Sequence, residues 1–215
     1  FTGIVEEVGK IKGIHRGVHS EQIEISAKKV LEDAKVGDSI CTNGVCLTIS
    51  KLLKNSFVAD VMHETLDCST LGEMPLGAKV NLERAMMLNG RFGGHIVSGH
   101  IDGMGMLVKV YKDDNSRRMW VETSSEILKY IVRKGSVALN GVSLTVASVG
   151  ENNFEVSVIP HTWENTSFAE LFVGNKINIE NDILGKYVEN FLSSNRECEA
   201  KKQLTEDFLE ENGFF

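Results

Sequence analysis

The stretch Asn43-Gly44-Val45-Cys46-Leu47-Thr48 returns as Asn140-Gly141-Val142-Ser143-Leu144-Thr145, 97 residues further along the chain. At the same offset Phe57 meets Phe154, Thr65 meets Thr162, and Gly77-Ala78-Lys79-Val80-Asn81-Leu82-Glu83 meets Gly174-Asn175-Lys176-Ile177-Asn178-Ile179-Glu180. Nearer the start the offset is 96, so Thr2-Gly3 and Gly9 meet Ser98-Gly99 and Gly105. A period this long exceeds that of solenoid repeats and marks duplication of a whole small domain. Such a chain must fold the same way twice, and whatever the first hexapeptide contacts, the second should contact in kind.

The repeat divides the 215 residues into a first domain over 1–94, a second over 95–182 and a terminal segment over 183–215. Each copy is small but long enough for a compact core. An apolar fraction of 42% and a charged fraction of 25% are those of an ordinary globular protein. No apolar run reaches the roughly 18 residues of a membrane span, and there is no basic-then-apolar leader. A cytoplasmic protein is expected, and a start at Phe1 is expected to follow removal of an initiator methionine. The net charge of −7 and a pI near 5.4 weigh against a nucleic-acid surface. Cys41, Cys46, Cys68 and Cys198 show no CxxC spacing and read as free thiols.

Both copies alternate or carry β-branched residues in short runs: Lys10-Ile11, Gln22 to Ile25, Ser39 to Cys41, Cys46 to Ile49 and Ser56 to Val61. The second copy supplies Met119 to Glu122, Ser136 to Leu139 and Phe154 to Val158 in the same order. Asn43-Gly44 and Asn140-Gly141 are strong hairpin signals, because both central residues of a type I′ turn need positive φ. Gly150 to Asn153 marks a further turn, with Asn suited to a left-handed conformation. Many short strands in so small a domain suggest a closed barrel. Ser26 to Leu31 and Ser124 to Ile131 read as short helices, each opening on a serine suited to an N-cap. From Ile183 to Leu192 the residues Ile183, Leu184, Tyr187, Val188, Phe191 and Leu192 follow a 3.6-residue period, predicting an amphipathic helix outside both copies. That stripe suits either intramolecular docking or self-association. Beyond it, Leu204, Phe208 and Leu209 sit in a charge-rich tail with a frayed helical pattern.

The duplication allows an internal comparison. A polar residue in one copy that faces an apolar one in the other is not required by the fold. His100 occupies the place of Ile4, and Asp182 that of Ala85, so both are candidate functional groups. Cys46 and Ser143 are matched small polar residues, suited to chemistry or to packing. Lys134 suits a ligand contact or a solvated surface. His95 reads as part of the turn joining the copies. His63 and His161 lie in equivalent strand-to-loop exits, a natural ligand rim. The histidines lack a compact metal-ligand spacing, and no phosphate-binding glycine loop is present.

Phe1-Thr2-Gly3-Ile4-Val5, the two hexapeptides, Gly93-Gly94-His95 with Ser98-Gly99-His100, and Asn178-Ile179-Glu180 together resemble the α-type riboflavin synthase family. The likeness covers nearly all of residues 1–192, in order. It implies an all-β protein: two tandem six-stranded Greek-key β-barrels followed by a C-terminal helix that drives homotrimer formation. It implies dismutation of two 6,7-dimethyl-8-ribityllumazine molecules to riboflavin and 5-amino-6-(D-ribitylamino)uracil, with no metal or redox cofactor. A site would join the first barrel of one subunit to the second barrel of its neighbour. Lumazine synthase, whose capsid encloses some members, is implied as a further partner.

Carried over by motif, Gly3, Ile4 and Val5 with Cys46, Leu47 and Thr48 would line the first lumazine seat, and Asp60, Val61, Met62, His63, Glu64 and Thr65 its other wall. The second seat would be Gly99, His100, Ile101, Ser143, Leu144 and Thr145, with Ile159, Pro160, His161, Thr162, Trp163 and Glu164 opposite and Lys134 nearby. The resemblance implies that His100 and Thr145 assist proton removal from the C7 methyl of one lumazine. Ser143 and Cys46 would supply or position a nucleophile for the other, and Asp182 would anchor a polar edge. The alternative within this fold is a non-catalytic lumazine- or flavin-binding antenna protein.

Overall fold

The computed structural model describes residues 1–17, 20–200, 210 and 213. The first copy forms β1 (Glu7–Arg16), β2 (Ser20–Ser26), β3 (Ser39–Thr42), β4 (Val45–Leu52), β5 (Ser56–Met62) and β6 (Lys79–Arg84). The second forms β7 (Gly103–Asp113), β8 (Ser116–Glu122), β9 (Ser136–Leu139), β10 (Val142–Val149), β11 (Asn153–Val158) and β12 (Lys176–Asn181). Each set closes into an antiparallel barrel, β1-β2-β5-β4-β3-β6 and β7-β8-β11-β10-β9-β12, so the two copies share one topology. Even the irregularities repeat. The register shifts between Ile11 and Gly13 and between Ile49 and Lys51, and again between Leu107 and Lys109 and between Val146 and Ser148. Closure removes exposed sheet edges, and such bulges bend the strands that must close.

Period-two patterning sets the faces. In β4, Val45, Leu47 and Ile49 enter the first core while Cys46 and Thr48 point outward. In β10, Val142, Leu144 and Val146 enter the second core while Ser143 and Thr145 point outward. Phe57 and Phe154, matched in sequence, are fully buried at the centres of their barrels. The Asn-Gly turns take the predicted geometry, with φ of 47° and 87° at Asn43 and Gly44 and 45° and 76° at Asn140 and Gly141.

These turns meet each other. A Cβ on Gly44 would lie 2.9 Å from the Gly141 nitrogen, and one on Gly141 would lie 2.8 Å from the Gly44 nitrogen. Two buried asparagines lock the contact. Asn81 Nδ2 donates to the Asn140 carbonyl (2.9 Å), and its Oδ1 accepts from Ser167 N (2.7 Å). Asn178 Nδ2 donates to the Asn43 carbonyl (2.8 Å), and its Oδ1 accepts from Thr70 N (2.7 Å). The turn asparagines complete the set: Asn43 Oδ1 accepts from Asn81 N and Asn140 Oδ1 from Asn178 N. The repeated motif is therefore the joint between the barrels as well as a hairpin turn.

Some local expectations fail for physical reasons. Ser26 ends β2 and caps nothing; only a 3-10 turn forms at Lys29–Leu31, where Glu7 accepts from Lys28 N and Val30 N. Ser124 does precede a helix, α2 (Ser125–Leu128), but makes no side-chain cap and the helix is one turn long. The turn at Gly150 closes through Gly150 N to the Asn153 carbonyl (2.8 Å) without a left-handed asparagine. Each barrel carries a further helix after its fifth strand, α1 (His63–Asp67) and α3 (Pro160–Glu164). The terminal helix α4 (Ile183–Ala200) forms as expected and counts as a separate compact unit, with Leu184, Tyr187, Val188, Phe191 and Leu192 exposed. The tail reading at Leu204, Phe208 and Leu209 lies outside the described residues. Among the described residues no helix is long and apolar enough to cross a membrane.

Replacing Asn81 by Ala strands a buried amide and a buried carbonyl from the opposite barrel, at roughly 1–3 kcal/mol per group. Urea denaturation of Asn81→Ala or Asn178→Ala should show a loss of about 2–5 kcal/mol. A loss under about 0.5 kcal/mol, the scale of an ordinary surface change, would remove the joint from the stability account.

Candidate functional site

Outward-facing Cys46 and Ser143 mark two equivalent places on the barrel walls, and each is reached by a segment from the opposite copy. Ser143 N donates to the Gly3 carbonyl (2.8 Å), and Cys46 N donates to the Gly99 carbonyl (2.8 Å). The approach is so close that a Cβ on Gly3 would fall 2.6 Å from Ser143 Cβ, and one on Gly99 2.6 Å from Cys46 Cβ. Both glycines hold positive φ, 77° and 84°, which a side chain would strain. The following residues continue the exchange. Val5 packs against the second core and Ile101 against the first.

The structure therefore corrects the expected grouping. Gly3 meets Ser143 and Val5 packs on the second core, whereas Gly99 meets Cys46 and Ile101 packs on the first. Sequence order suggested otherwise, because each segment precedes the barrel it closes in the chain. His100 is exposed and directly follows Gly99, whose carbonyl accepts from Cys46 N.

Burial sorts the remaining candidates. Leu47 (3% exposed), Leu144 (8%), Val61 (1%) and Trp163 (9%) are core residues, so their side chains serve the barrels and not a seat. Trp163 also packs near Phe168 and under the Arg117 guanidinium, 4.6 Å from its ring centre. Asp60, Met62, His63 and Glu64 are exposed at the end of β5 and in α1, with Thr65 partly buried. Ile159, Pro160, His161 and Glu164 are exposed at the start of α3 and within it, with Thr162 partly buried. These are equivalent rims at the exits of β5 and β11.

His95 proves more than a joining turn. It is buried, and its Nδ1 lies 2.8 Å from Ser143 Oγ, while Nε2 has no hydrogen-bond partner among the described residues. Burial pushes its pKa below the ordinary imidazole value, and the Asp182 carboxylate partly opposes that shift. The ring is thus neutral near pH 7, so its Nδ1 can accept the Ser143 proton or donate to Ser143 Oγ, depending on the tautomer. Ser143, His95 and Asp182 consequently gather in one region. The internal comparison could not single out His95, since the position 96 residues earlier lies before Phe1.

Lys134 carries a different signal. Its amide donates to the Val146 carbonyl as Gly37 N does to the Ile49 carbonyl, and both backbones are left-handed, with φ of 66° and 97°. The fold wants glycine there, and the second copy holds an exposed lysine at a local cost of about 1–2 kcal/mol.

A cleft of about 520 Å³ also opens between the barrels, lined by Thr70, Glu73, Met74, Ser167, Glu170 and Phe172 among others. It contains none of the predicted site residues. A smaller one of about 290 Å³ borders Thr2, Ile4, Glu83, Arg84, Met86 and Met87.

Comparison with known proteins agrees with this duplicated plan. The lumazine binding domain model matches twice, over residues 2–85 and 98–182. A riboflavin synthase of Actinobacillus pleuropneumoniae is 49% identical over 214 residues, covering 100% of both chains. One of Bacillus subtilis (strain 168) is 44% identical, again over 100% of both. Among solved structures, LumP complexed with 6,7-dimethyl-8-(1'-D-ribityl) lumazine superposes with a TM-score of 0.76 at 22% identity, over 84% of this chain and 98% of that one. LumP complexed with riboflavin gives 0.78 at the same identity and coverage. At that identity the LumP likeness speaks for the fold alone. The chain belongs to the riboflavin synthase family, with two lumazine binding domains in tandem.

Proposed function

We propose that this chain is a riboflavin synthase, converting two molecules of 6,7-dimethyl-8-ribityllumazine into riboflavin and 5-amino-6-(D-ribitylamino)uracil. Full-length identity of 49% to a riboflavin synthase carries the reading. The geometry suits a reaction between two copies of one substrate, because two matched barrels offer two matched seats. Seating both molecules turns a bimolecular encounter into a near-unimolecular one. The seats differ where the transfer needs them to. One has Cys46, Thr48 and His100; the other has Ser143 with its His95 partner, Thr145, Lys134 and Asp182. His100 would take or deliver a proton at one lumazine, including that of its C7 methyl. The Ser143–His95 pair would supply or orient a nucleophile for the other, and Asp182 and Lys134 would hold polar edges. The antenna alternative is weaker, since LumP shares the fold at 22% identity only.

Within one chain the four-carbon unit has two seats but needs them face to face. The exposed apolar stripe of α4 supports self-association, and the family resemblance implies a homotrimer that sets the first barrel of one copy against the second barrel of another. Lumazine synthase as a capsid partner belongs to this reading only through the family resemblance.

Mixing the protein with 6,7-dimethyl-8-ribityllumazine alone should yield riboflavin absorbance and fluorescence. Tight binding without riboflavin would leave the antenna reading. His100→Ala and Ser143→Ala should each lower kcat by roughly 10²-fold with little loss of binding, as expected for acid–base groups; wild-type rates would remove them from the mechanism. Lys134→Gly relieves the left-handed strain and should raise unfolding stability by about 1 kcal/mol while weakening lumazine affinity. Gains in both would mean the lysine has no ligand role. Removing residues after Asp182 should leave folded barrels, seen by circular dichroism, and reduce the solution mass to that of a monomer. An unchanged oligomer would show that α4 does not hold it.

A further inference from the structure

Each exchanged segment is tied down by one buried glutamate at the end of its own barrel. Glu83, in β6, accepts from Thr2 N (2.6 Å), Thr2 Oγ1 (3.0 Å) and Gly3 N (2.9 Å). Glu180, in β12, accepts from Ser98 N (2.6 Å), Ser98 Oγ (2.7 Å) and Gly99 N (3.0 Å). The two sets match atom for atom. Carboxylate acceptors make the stronger class of hydrogen bond, and three donors fix both the place and the direction of a short peptide. Keeping a carboxylate there is costly. Burial pushes the Glu83 pKa up, against the Thr2 and Gly3 hydrogen bonds that pull it down.

What the clamp holds lies on the other barrel. The Gly3 carbonyl accepts from Ser143 N, and the Gly99 carbonyl accepts from Cys46 N. A continuous hydrogen-bonded path therefore runs from Glu83 through Thr2-Gly3 to Ser143, and another from Glu180 through Ser98-Gly99 to Cys46. The residues next in the chain, Ile4-Val5 and His100-Ile101, are delivered by these paths.

We propose that Glu83 and Glu180 are positioning residues that act crosswise, Glu180 placing His100 at the Cys46 seat and Glu83 placing Ile4 and Val5 at the Ser143 seat. This rests on the seats being those of the proposed synthase. The two glutamates then have unlike consequences. Glu180 aims a proton-transferring group, so its loss is felt in turnover. Glu83 aims two apolar contacts, so its loss is felt in binding.

The test uses Glu83→Gln and Glu180→Gln in the full chain, which keep the side-chain size but turn one acceptor into a donor. Amide resonances of Cys46 and Ser143 are the direct reporters and need no ligand. Glu180→Gln should shift the Cys46 amide and speed its exchange with solvent, leaving Ser143 unmoved; Glu83→Gln should do the reverse. With 6,7-dimethyl-8-ribityllumazine, Glu180→Gln should lower kcat about tenfold with KM nearly unchanged, and Glu83→Gln should raise KM severalfold more than it lowers kcat. General loosening of the fold would move both amides and both constants together in each variant, and that outcome overturns the proposal, as does an unmoved opposite-barrel amide. Should either variant fail to fold, Ser98→Ala and Thr2→Val remove only the hydroxyl bond and must give smaller shifts at Cys46 and Ser143 respectively. If unmodified protein makes no riboflavin, the synthase reading fails, while the amide shifts still decide whether the clamps act crosswise.

Discussion

Two buried asparagines hold the molecule to its plan. Asn81 and Asn178 each satisfy a main-chain donor and a main-chain acceptor of the opposite copy, beside the contact of Gly44 with Gly141. A buried amide side chain that bridges two main chains tolerates little displacement, because every misplaced group would be left dry and unpaired. The crossed ion pairs Lys79–Glu170 (2.6 Å) and Lys176–Glu73 (2.5 Å) also span the copies but are solvent-exposed and worth at most about 1 kcal/mol each. The asparagines set the register between barrels, and the ion pairs follow from it.

From that register comes the exchange of segments. Once the Asn-Gly turns abut, the strands they begin, β4 and β10, lie within hydrogen-bond reach of the segment leading into the other barrel. Glycine at positions 3 and 99 is then required twice over, by positive φ and by contact with Ser143 and Cys46. A seat made of pieces from both copies cannot form in an isolated barrel of this sequence with the same contacts. The joint is thus part of the proposed site.

This explains what could be read from the chain beforehand. Duplication, short strands and the I′ turns follow from local periodicity and from residue types with strong backbone preferences, while the six-stranded barrel plan came from the family resemblance. Cys46, Ser143 and Thr145 were legible as a motif face. The pairing of Gly3 with Ser143 and of Gly99 with Cys46 was not, because nothing in a sequence says that neighbours along the chain separate across an interface. Leu47 and Leu144 were assigned to a seat because they lie inside the motif, yet period-two geometry turns them inward. His95 was passed over for want of a counterpart. Lys134 left a legible trace, a lysine where the other copy has glycine, but its weight depends on a left-handed φ seen only in the fold.

Symmetry and asymmetry are therefore divided by depth. The buried polar groups at the joint, Asn43 and Asn81 with Asn140 and Asn178, and the glutamates that hold a segment within each copy, Glu83 with Glu180, are identical in pairs and make matching bonds. The groups facing outward, Cys46 against Ser143, Ile4 against His100 and Gly37 against Lys134, are unlike. A duplicated protein whose substrate is also duplicated gains from equal seats, since both molecules must be bound alike. A transfer between those molecules has a direction, and direction needs unequal chemistry. Keeping the joint symmetric while varying only the outward-facing positions lets the two requirements coexist, because substitutions there leave the interlocking hydrogen bonds untouched.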